Sequence, residues 1–170
     1  MIDPAGPDYR VGIGTDIHPL VPDRPLILGG VSIPFPAGLL GHSDGDVVIH
    51  AVIDALLGAA AMGDIGTLFP DTDPQYKDAD SKALLLDVRG RIGAKGWQVV
   101  NLDVVVQLER PRLEPFKGQI RRSLAGLLDM DFAAVNVKAK TAEGLDAVGQ
   151  GHAIAAMAIV LLARRPRKPI

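Results

Sequence analysis

The stretch SDGDVVIHAVIDALLGAAAM, Ser43 to Met62, decides how the rest of the chain reads. Val47, Val48, Ala51, Val52, Ala55, Leu56 and Ala59 recur in it at helical spacing, the pattern of a helix with one buried face. Ser43-Asp44-Gly45-Asp46 in front of them resembles a capping box, with Ser43 expected to cap the helix. Upstream, Val11, Ile13 and Ile17 alternate with Gly12, Gly14 and Asp16. This period of two predicts a strand with one face against the core, ended by His18-Pro19. Leu26 to Pro34 carries Gly29-Gly30 in its middle and reads as two short strands around a turn. Downstream, Gly63 to Asp80 is rich in Asp, Pro and Gly, turn chemistry over a length usual only for functional or disordered loops.

A second helix is expected from Ser81 to Lys95, with Leu84, Leu85, Val88 and Ile92 on one stripe and Gly96 as its stop. Trp97 to Leu108 and Ala134 to Lys140 read as strands, and Pro115 to Leu128 as a helix. His152 to Leu162 suits a helix by its alanines, but Ile154, Met157, Ile159 and Val160 favour a buried strand. This order predicts an α+β fold, a two-layer sandwich with helices packed on one face of a mixed β-sheet.

The chain has 170 residues, 48% of them apolar, which suits a single domain over residues 1–170 with its core at about 9–163. The basic, Pro-rich tail from Arg164 to Ile170 is expected to be disordered. One Trp, two Tyr and four Phe leave little for stacking bases, and a net charge of −2 provides no basic field, so nucleic-acid binding is not expected. The longest apolar run, Ala153 to Ala163, is 11 residues, short of the roughly 20 that span a bilayer. Met1 to Asp8 lacks the basic and apolar regions of a signal peptide. A cytoplasmic protein without a membrane partner is the expectation.

There is no cysteine, so a metal must be held by histidine and carboxylate. Asp16 and His18, two apart on a strand, leave the same face; alone, the pair is better explained as a capped strand end. His50 adds weight, because it sits mid-helix with Asp46 four residues before it and Asp54 four residues after. Two imidazoles and one carboxylate make the three-ligand set of a catalytic zinc site with its fourth position open, and Asp46 or Asp54 could orient His50. The bland alternative is a core histidine satisfied by a helix neighbour. His42 and Ser43 stand at the helix mouth, where backbone N–H groups favour an anion such as phosphate. Thr141 and Glu143 follow a strand containing Lys138 and Lys140, a grouping suited either to a diphosphate with a magnesium-type ion or to a solvated strand end. Arg110-Pro111-Arg112 has the same ambiguity. No Walker-type loop or complete dinucleotide fingerprint is present.

Taken together, GTDIH (Gly14 to His18), GHSDGDVVIHAVIDALLGA (Gly41 to Ala59), GDIGTLFPDTDPQYKDADS (Gly63 to Ser81) and NVKAKTAE (Asn136 to Glu143) resemble the 2-C-methyl-D-erythritol 2,4-cyclodiphosphate synthase family of the non-mevalonate isoprenoid pathway. The resemblance spans about Arg10 to Ala163. It implies zinc at Asp16, His18 and His50, with Ile17 between the first two also at the substrate, and phosphate contacts from His42 and Ser43. Asp64, Ile65 and Gly66, with Phe69, Pro70, Asp71, Thr72 and Asp73, would line the methylerythritol pocket. Leu108, Glu109, Arg110, Pro111, Arg112, Leu113 and Glu114, with Ala139, Lys140, Thr141 and Ala142, would cradle the cytidine diphosphate, and Glu143 would hold magnesium or manganese.

The resemblance further implies a homotrimer with active sites at subunit boundaries. The implied reaction is attack of a 2-phosphate on the β-phosphorus of the same 4-diphosphocytidyl-methylerythritol 2-phosphate molecule, expelling CMP. His42 and Thr141 would stabilise charge in its transition state, and no protein nucleophile is required. The sequence departs from the family pattern at Lys140-Thr141-Ala142-Glu143, where a Thr-Thr-Thr-Glu run is usual, and at Pro111-Arg112, where Pro-Lys is usual; both keep the expected chemistry. Gln150 replaces an arginine of the trimer's central anion site, so an isoprenoid diphosphate cavity is not expected. A metal-dependent phosphohydrolase and a non-catalytic trimeric zinc- or diphosphate-binding module are the alternatives.

Overall fold

In a computed structural model the described residues are 8–164. Five strands form one sheet in the order β4-β1-β7-β5-β6, built from β1 (Tyr9–Pro22), β4 (Ala37–Leu39), β5 (Trp97–Gln107), β6 (Val135–Lys140) and β7 (Ala153–Arg164). Neighbours are antiparallel except β5 and β6, which run parallel, so the sheet is mixed. Helix α1 (Val47–Ala60) lies on β1 and β7, α3 (Ser81–Ala94) on α1 and β5, and α4 (Lys117–Leu128) on β6 and α3. The two-layer α+β sandwich read from the sequence is the observed one, and its core is a continuous apolar cluster between the two layers.

The last apolar stretch is the strand β7, paired on both sides along its length with β1 and β5; Ala156, Ala158, Val160 and Leu162 face the core, while Met157 and Ile159 add apolar residues on the open face. β2 (Leu26–Leu28) and β3 (Val31–Ile33) form the expected hairpin, with Gly29 and Gly30 at φ of 60° and 74°. Two consecutive positive φ values are what a two-residue hairpin turn of this hand requires. Among the described residues, no helix is long and apolar enough to cross a membrane. Arg164 closes β7 opposite Trp97; the rest of the tail expected to be disordered lies outside the described residues.

Three local expectations are corrected. First, α1 is capped by Asp46, not Ser43. The fully buried Asp46 carboxylate accepts from the amides of Val48 and Ile49 at 3.1 Å each, and also from Gly29 at 2.9 Å and Gly30 at 2.6 Å. It joins the helix to the hairpin, which a serine hydroxyl could not do. Burial pushes its carboxyl up to about 6, and the amides of Gly30, Gly29 and Ile49 hold it from rising further. Second, β1 does not end at His18-Pro19 but continues to Pro22. The Pro19 carbonyl accepts from Leu40 at 2.9 Å, on the side away from β7, while the Leu20 amide continues the β7 side of the ladder to His152 at 2.8 Å. A proline whose missing N–H faces away from its main ladder is tolerated in a strand. Third, Gly63 to Asp80 is not one structureless loop: it contains the short helix α2 (Ile65–Leu68) and a helical turn at Pro74–Tyr76.

The face that β1 turns to the core is its glycine face. A Cβ on Gly12 would lie 2.0 Å from the Ala55 carbonyl oxygen, and one on Gly14 would lie 2.1 Å from that of Ala51. Helix backbone therefore rests directly on strand backbone. The alternate residues Val11, Ile13 and Ile17, at 69%, 59% and 56% exposure, line the open side of the sheet. Gly14→Ala should destabilise the protein by about 3 kcal/mol or more, the upper end for overpacking, because backbone must move. Gly90→Ala, on α3 with nothing within 4 Å of its added methyl, should instead stabilise by about 0.5–1 kcal/mol. Urea unfolding of both variants checks the contrast.

Candidate functional site

The glycine contact sets the height of α1 above β1, and the next inward-facing residues along the strand are Asp16 and His18. They meet His50, one turn from the helix start. Asp16 Oδ2 is 3.0 Å from His18 Nε2 and 2.9 Å from His50 Nδ1, and the two ring nitrogens are 3.1 Å apart. Such a triangle of donor atoms, with edges near 3 Å, fits three ligands each bound at about 2 Å to one cation. No other group of three or more histidine and acidic side chains among the described residues converges in this way.

The second Asp16 oxygen is held by the Ile17 amide at 2.9 Å. Burial raises the Asp16 carboxyl, but hydrogen bonds and charge from His18 and His50 outweigh it and hold the group well below the usual carboxylate range. The far nitrogen of His50, Nε2, lies 3.0 Å from Ser43 Oγ and 2.9 Å from Ser81 Oγ. Neither Asp46 nor Asp54 orients His50 through a hydrogen bond: Asp46 is consumed as the cap, and Asp54 Oδ1 accepts from the Ile65 amide at 2.8 Å. Asp54 thus ties α1 to α2, and burial raises its carboxyl.

A cleft of about 370 Å³ opens beside the trio, lined also by His42, Ser43, Asp54, Ile65, Gly66, Phe69 and Asp71. The sequence reading missed Tyr76 and Leu84, which complete the wall; Tyr76 meets Phe69 edge to face, with ring centroids 5.3 Å apart. It missed Ser81 as well. Asp64, Pro70, Thr72 and Asp73 share the segment but do not line the cleft. Asp64 caps α2 through the Thr67 amide at 2.7 Å, and Asp73 caps the following turn through the Gln75 amide at 3.0 Å. The hydroxyl and amide of Thr67 hold the exposed Asp64 carboxyl below its ordinary value. The Ile17 side chain leaves the opposite face of β1, as strand alternation demands, so only its backbone remains on the cleft side.

Leu108, Glu109, Pro111, Arg112, Leu113, Glu114, Ala139, Lys140 and Thr141 line a separate hollow of about 220 Å³ beyond the C-terminal ends of the parallel pair β5 and β6. Thr141 Oγ1 donates to Glu143 Oε1 at 2.7 Å, and Glu109 Oε1 accepts from the Ala142 amide at 3.2 Å. Arg110 faces a neighbouring depression with Gln150. Within one chain, then, the Thr141 group and the Asp16 group line different hollows.

A family model described as the YgbB family matches residues 9–163. The chain belongs to this family. Among its YgbB-family relatives, the 2-C-methyl-D-erythritol 2,4-cyclodiphosphate synthase of Azoarcus sp. (strain BH72) is 54% identical over 156 residues, which cover 92% of this chain and 96% of that protein. Among solved structures, a 2C-methyl-D-erythritol-2,4-cyclodiphosphate synthase in its CDP-bound form superposes with a TM-score of 0.84 at 40% identity, covering 90% of this chain and 99% of that one. The IspF–CDP complex of Plasmodium falciparum superposes with a TM-score of 0.81 at 35% identity, covering 93% and 97%.

The depressed Asp16 carboxyl has a sign that can be checked in metal-free protein. Its folded-state value lies below its unfolded one, so its contribution is complete above the ordinary carboxylate range near pH 4 and disappears as the pH falls below it. The difference in unfolding free energy between the wild type and Asp16→Asn should therefore shrink between about pH 5 and about pH 2.

Proposed function

We propose that this YgbB-family chain is a 2-C-methyl-D-erythritol 2,4-cyclodiphosphate synthase, which cyclises 4-diphosphocytidyl-2-C-methyl-D-erythritol 2-phosphate and releases CMP. The observation that carries the proposal is the meeting of Asp16, His18 and His50 at the cleft in a chain more than half identical to a relative of that name. In the reaction, an oxygen of the 2-phosphate forms a bond to the β-phosphorus while the bond from that phosphorus to the CMP oxygen breaks. No atom of the protein enters the product. The work of the protein is to hold two anionic groups in line and to offset their charge.

Asp16, His18 and His50 suit zinc by ligand type and number. A divalent cation bound there supplies Lewis-acid polarisation of the phosphoryl oxygens. His42 and Ser43, on the cleft wall beside the trio, are placed to donate to phosphate oxygens. Phe69, Tyr76 and Leu84 give the same cleft an apolar side against which a methyl-bearing carbon chain can lie, and from which water is displaced. The second hollow is suited to the cytidine diphosphate, with Lys140 and Arg112 supplying positive charge and Thr141 a hydroxyl. Glu143, bonded to Thr141, would hold magnesium or manganese at the diphosphate.

A homotrimer with active sites between subunits reconciles these parts. The open face of the sheet carries Val11, Ile13, Ile17, Met157 and Ile159, all more than 40% exposed, with Ile13 opposite Ile159 across the β1–β7 ladder. A contiguous apolar patch of this kind is covered by a partner more often than by water. Copies of the chain meeting through this face would bring the Thr141 hollow of one subunit towards the Asp16 cleft of another. The two hollows of a single chain are otherwise parts of one site held apart.

Phosphorus NMR of the protein with the proposed substrate and magnesium should show stoichiometric CMP and a cyclic diphosphate, abolished by chelation. Free inorganic phosphate would instead mark a hydrolase, and bound metal without turnover a binding module. His50→Ala should lose metal retention and turnover together, because two ligands make a poor zinc site. Light scattering should give about three times the 17.9 kDa chain mass.

A further inference from the structure

His50 can hold a cation through Nδ1 only if its remaining proton sits on Nε2. The surroundings of Nε2 specify that arrangement. Ser81, the first residue of α3, is fully buried, and its hydroxyl lies between His50 Nε2 at 2.9 Å and Asp44 Oδ1 at 2.5 Å. Both Asp44 oxygens already accept backbone amides, Oδ1 from Asp46 and Oδ2 from Ser81 itself, each at 3.2 Å. Asp44 is thus an acceptor on every side that meets protein. The single Ser81 hydroxyl proton must go to it, which leaves the Ser81 oxygen free only to accept; the nearer group facing that oxygen is His50 Nε2, at 2.9 Å, with the Ser43 hydroxyl farther off at 3.3 Å. Ser43 Oγ, which accepts from the Gly45 amide at 3.2 Å, shares the same ring proton at 3.0 Å, so its own hydroxyl proton is left for other acceptors.

We propose that Ser81 and Asp44 are positioning residues which keep the His50 proton on Nε2, so that Nδ1 presents its lone pair to the cation between Asp16 and His18. The chain of donors runs from His50 Nε2 through the Ser81 hydroxyl to the Asp44 carboxylate. A carboxylate connected in this way to the outer nitrogen of a metal-bound imidazole orients the ring and strengthens the inner nitrogen as a ligand. The start of α3 thereby becomes part of the cleft floor, and its seating on α1 is coupled to the ligand set. The inference rests on the cation-binding reading of the Asp16 site.

The test is zinc affinity, measured by competition with a chromogenic chelator, for the wild type, Ser81→Ala and Asp44→Asn. Loss of the hydroxyl in Ser81→Ala should weaken zinc about 10- to 100-fold; Asp44→Asn, which keeps an acceptor oxygen but not the charge, should show a smaller loss. Affinity within twofold of the wild type in Ser81→Ala overturns the relay while leaving the zinc site standing. A wild type that binds no zinc overturns the site reading and the relay with it. Should Ser81→Ala fail to fold, long-range proton–nitrogen NMR of the zinc-loaded wild type and Asp44→Asn decides. A slowly exchanging Nε2 proton on His50 whose resonance moves in Asp44→Asn supports the relay, and a proton absent from Nε2 or indifferent to residue 44 overturns it.

Discussion

The arrangement depends on one steric fact: the backbone of α1 lies on the backbone of β1. Carbonyl oxygens of Ala51 and Ala55 occupy the space where side chains of Gly14 and Gly12 would otherwise stand. Usually a helix is held off a sheet by the side chains of both, at about 10 Å between layers. Here one layer of side chains is missing, and the helix sits correspondingly closer. That closeness lets short Asp16 and His18 side chains reach a histidine on the helix rather than stopping short of it. The same geometry assigns the apolar residues of β1 to the other side of the sheet, so the requirement that brings Asp16, His18 and His50 together also leaves Val11, Ile13 and Ile17 uncovered.

Polar groups are otherwise scarce inside the molecule. The buried polar side chains among the described residues are Ser43, Asp46, His50 and Ser81, and all four stand around the first turn of α1 and the start of α3. Each has a partner of defined polarity: four amides for Asp46, a carboxylate for Ser81, an amide for Ser43 and two hydroxyls for the outer nitrogen of His50. Satisfied networks of this kind are rigid, because breaking any link leaves a buried group without a partner. The polar side of the cleft is thus held by a connected hydrogen-bond network, while its apolar side, from Phe69 to Tyr76, rides on short turns capped by Asp64 and Asp73.

Features that depend on local periodicity were legible in the sequence. The repeats in α1, α3 and α4, the alternation in β5 and the Gly29-Gly30 turn all appear where pattern and turn chemistry put them; β1 also alternates, but its buried side is the glycine side and Val11, Ile13 and Ile17 lie on the open face. Spacing put Asp16 and His18 on one strand face and offered His50 as a third group, but it left a capped strand end and a core histidine open as alternatives; that a helix residue meets the strand pair depends on how the two elements pack. What escaped was set by partners distant in the chain. Ser43, Asp44 and Asp46 all look like caps, and the choice of Asp46 is made by the amides of Gly29 and Gly30, which no local pattern connects to it. Asp46 and Asp54 share a helix side with His50, but the ring turns its outer nitrogen to Ser81, 31 residues further on. Pro19 reads as a stop unless one knows which side of the strand is left unladdered. The family resemblance supplied the remainder, including the Thr141 and Glu143 group, whose own spacing was equally consistent with an ordinary strand end.

Strand β1 serves two ends at alternate positions, the Asp16–His18 pair and the helix contacts on one side, the apolar open face on the other. A strand of this kind has no tolerance for slippage: moving it by one residue would turn Ile17 toward the cleft and Asp16 toward the uncovered face. A shift of two would restore the alternation but carry both ligands about 7 Å along the sheet, out of reach of His50. Between Gly12 and His18, therefore, an inserted or deleted residue would break both the helix contact and the meeting of Asp16 and His18 with His50. The length of this segment matters to the fold as much as the identities of its glycines do.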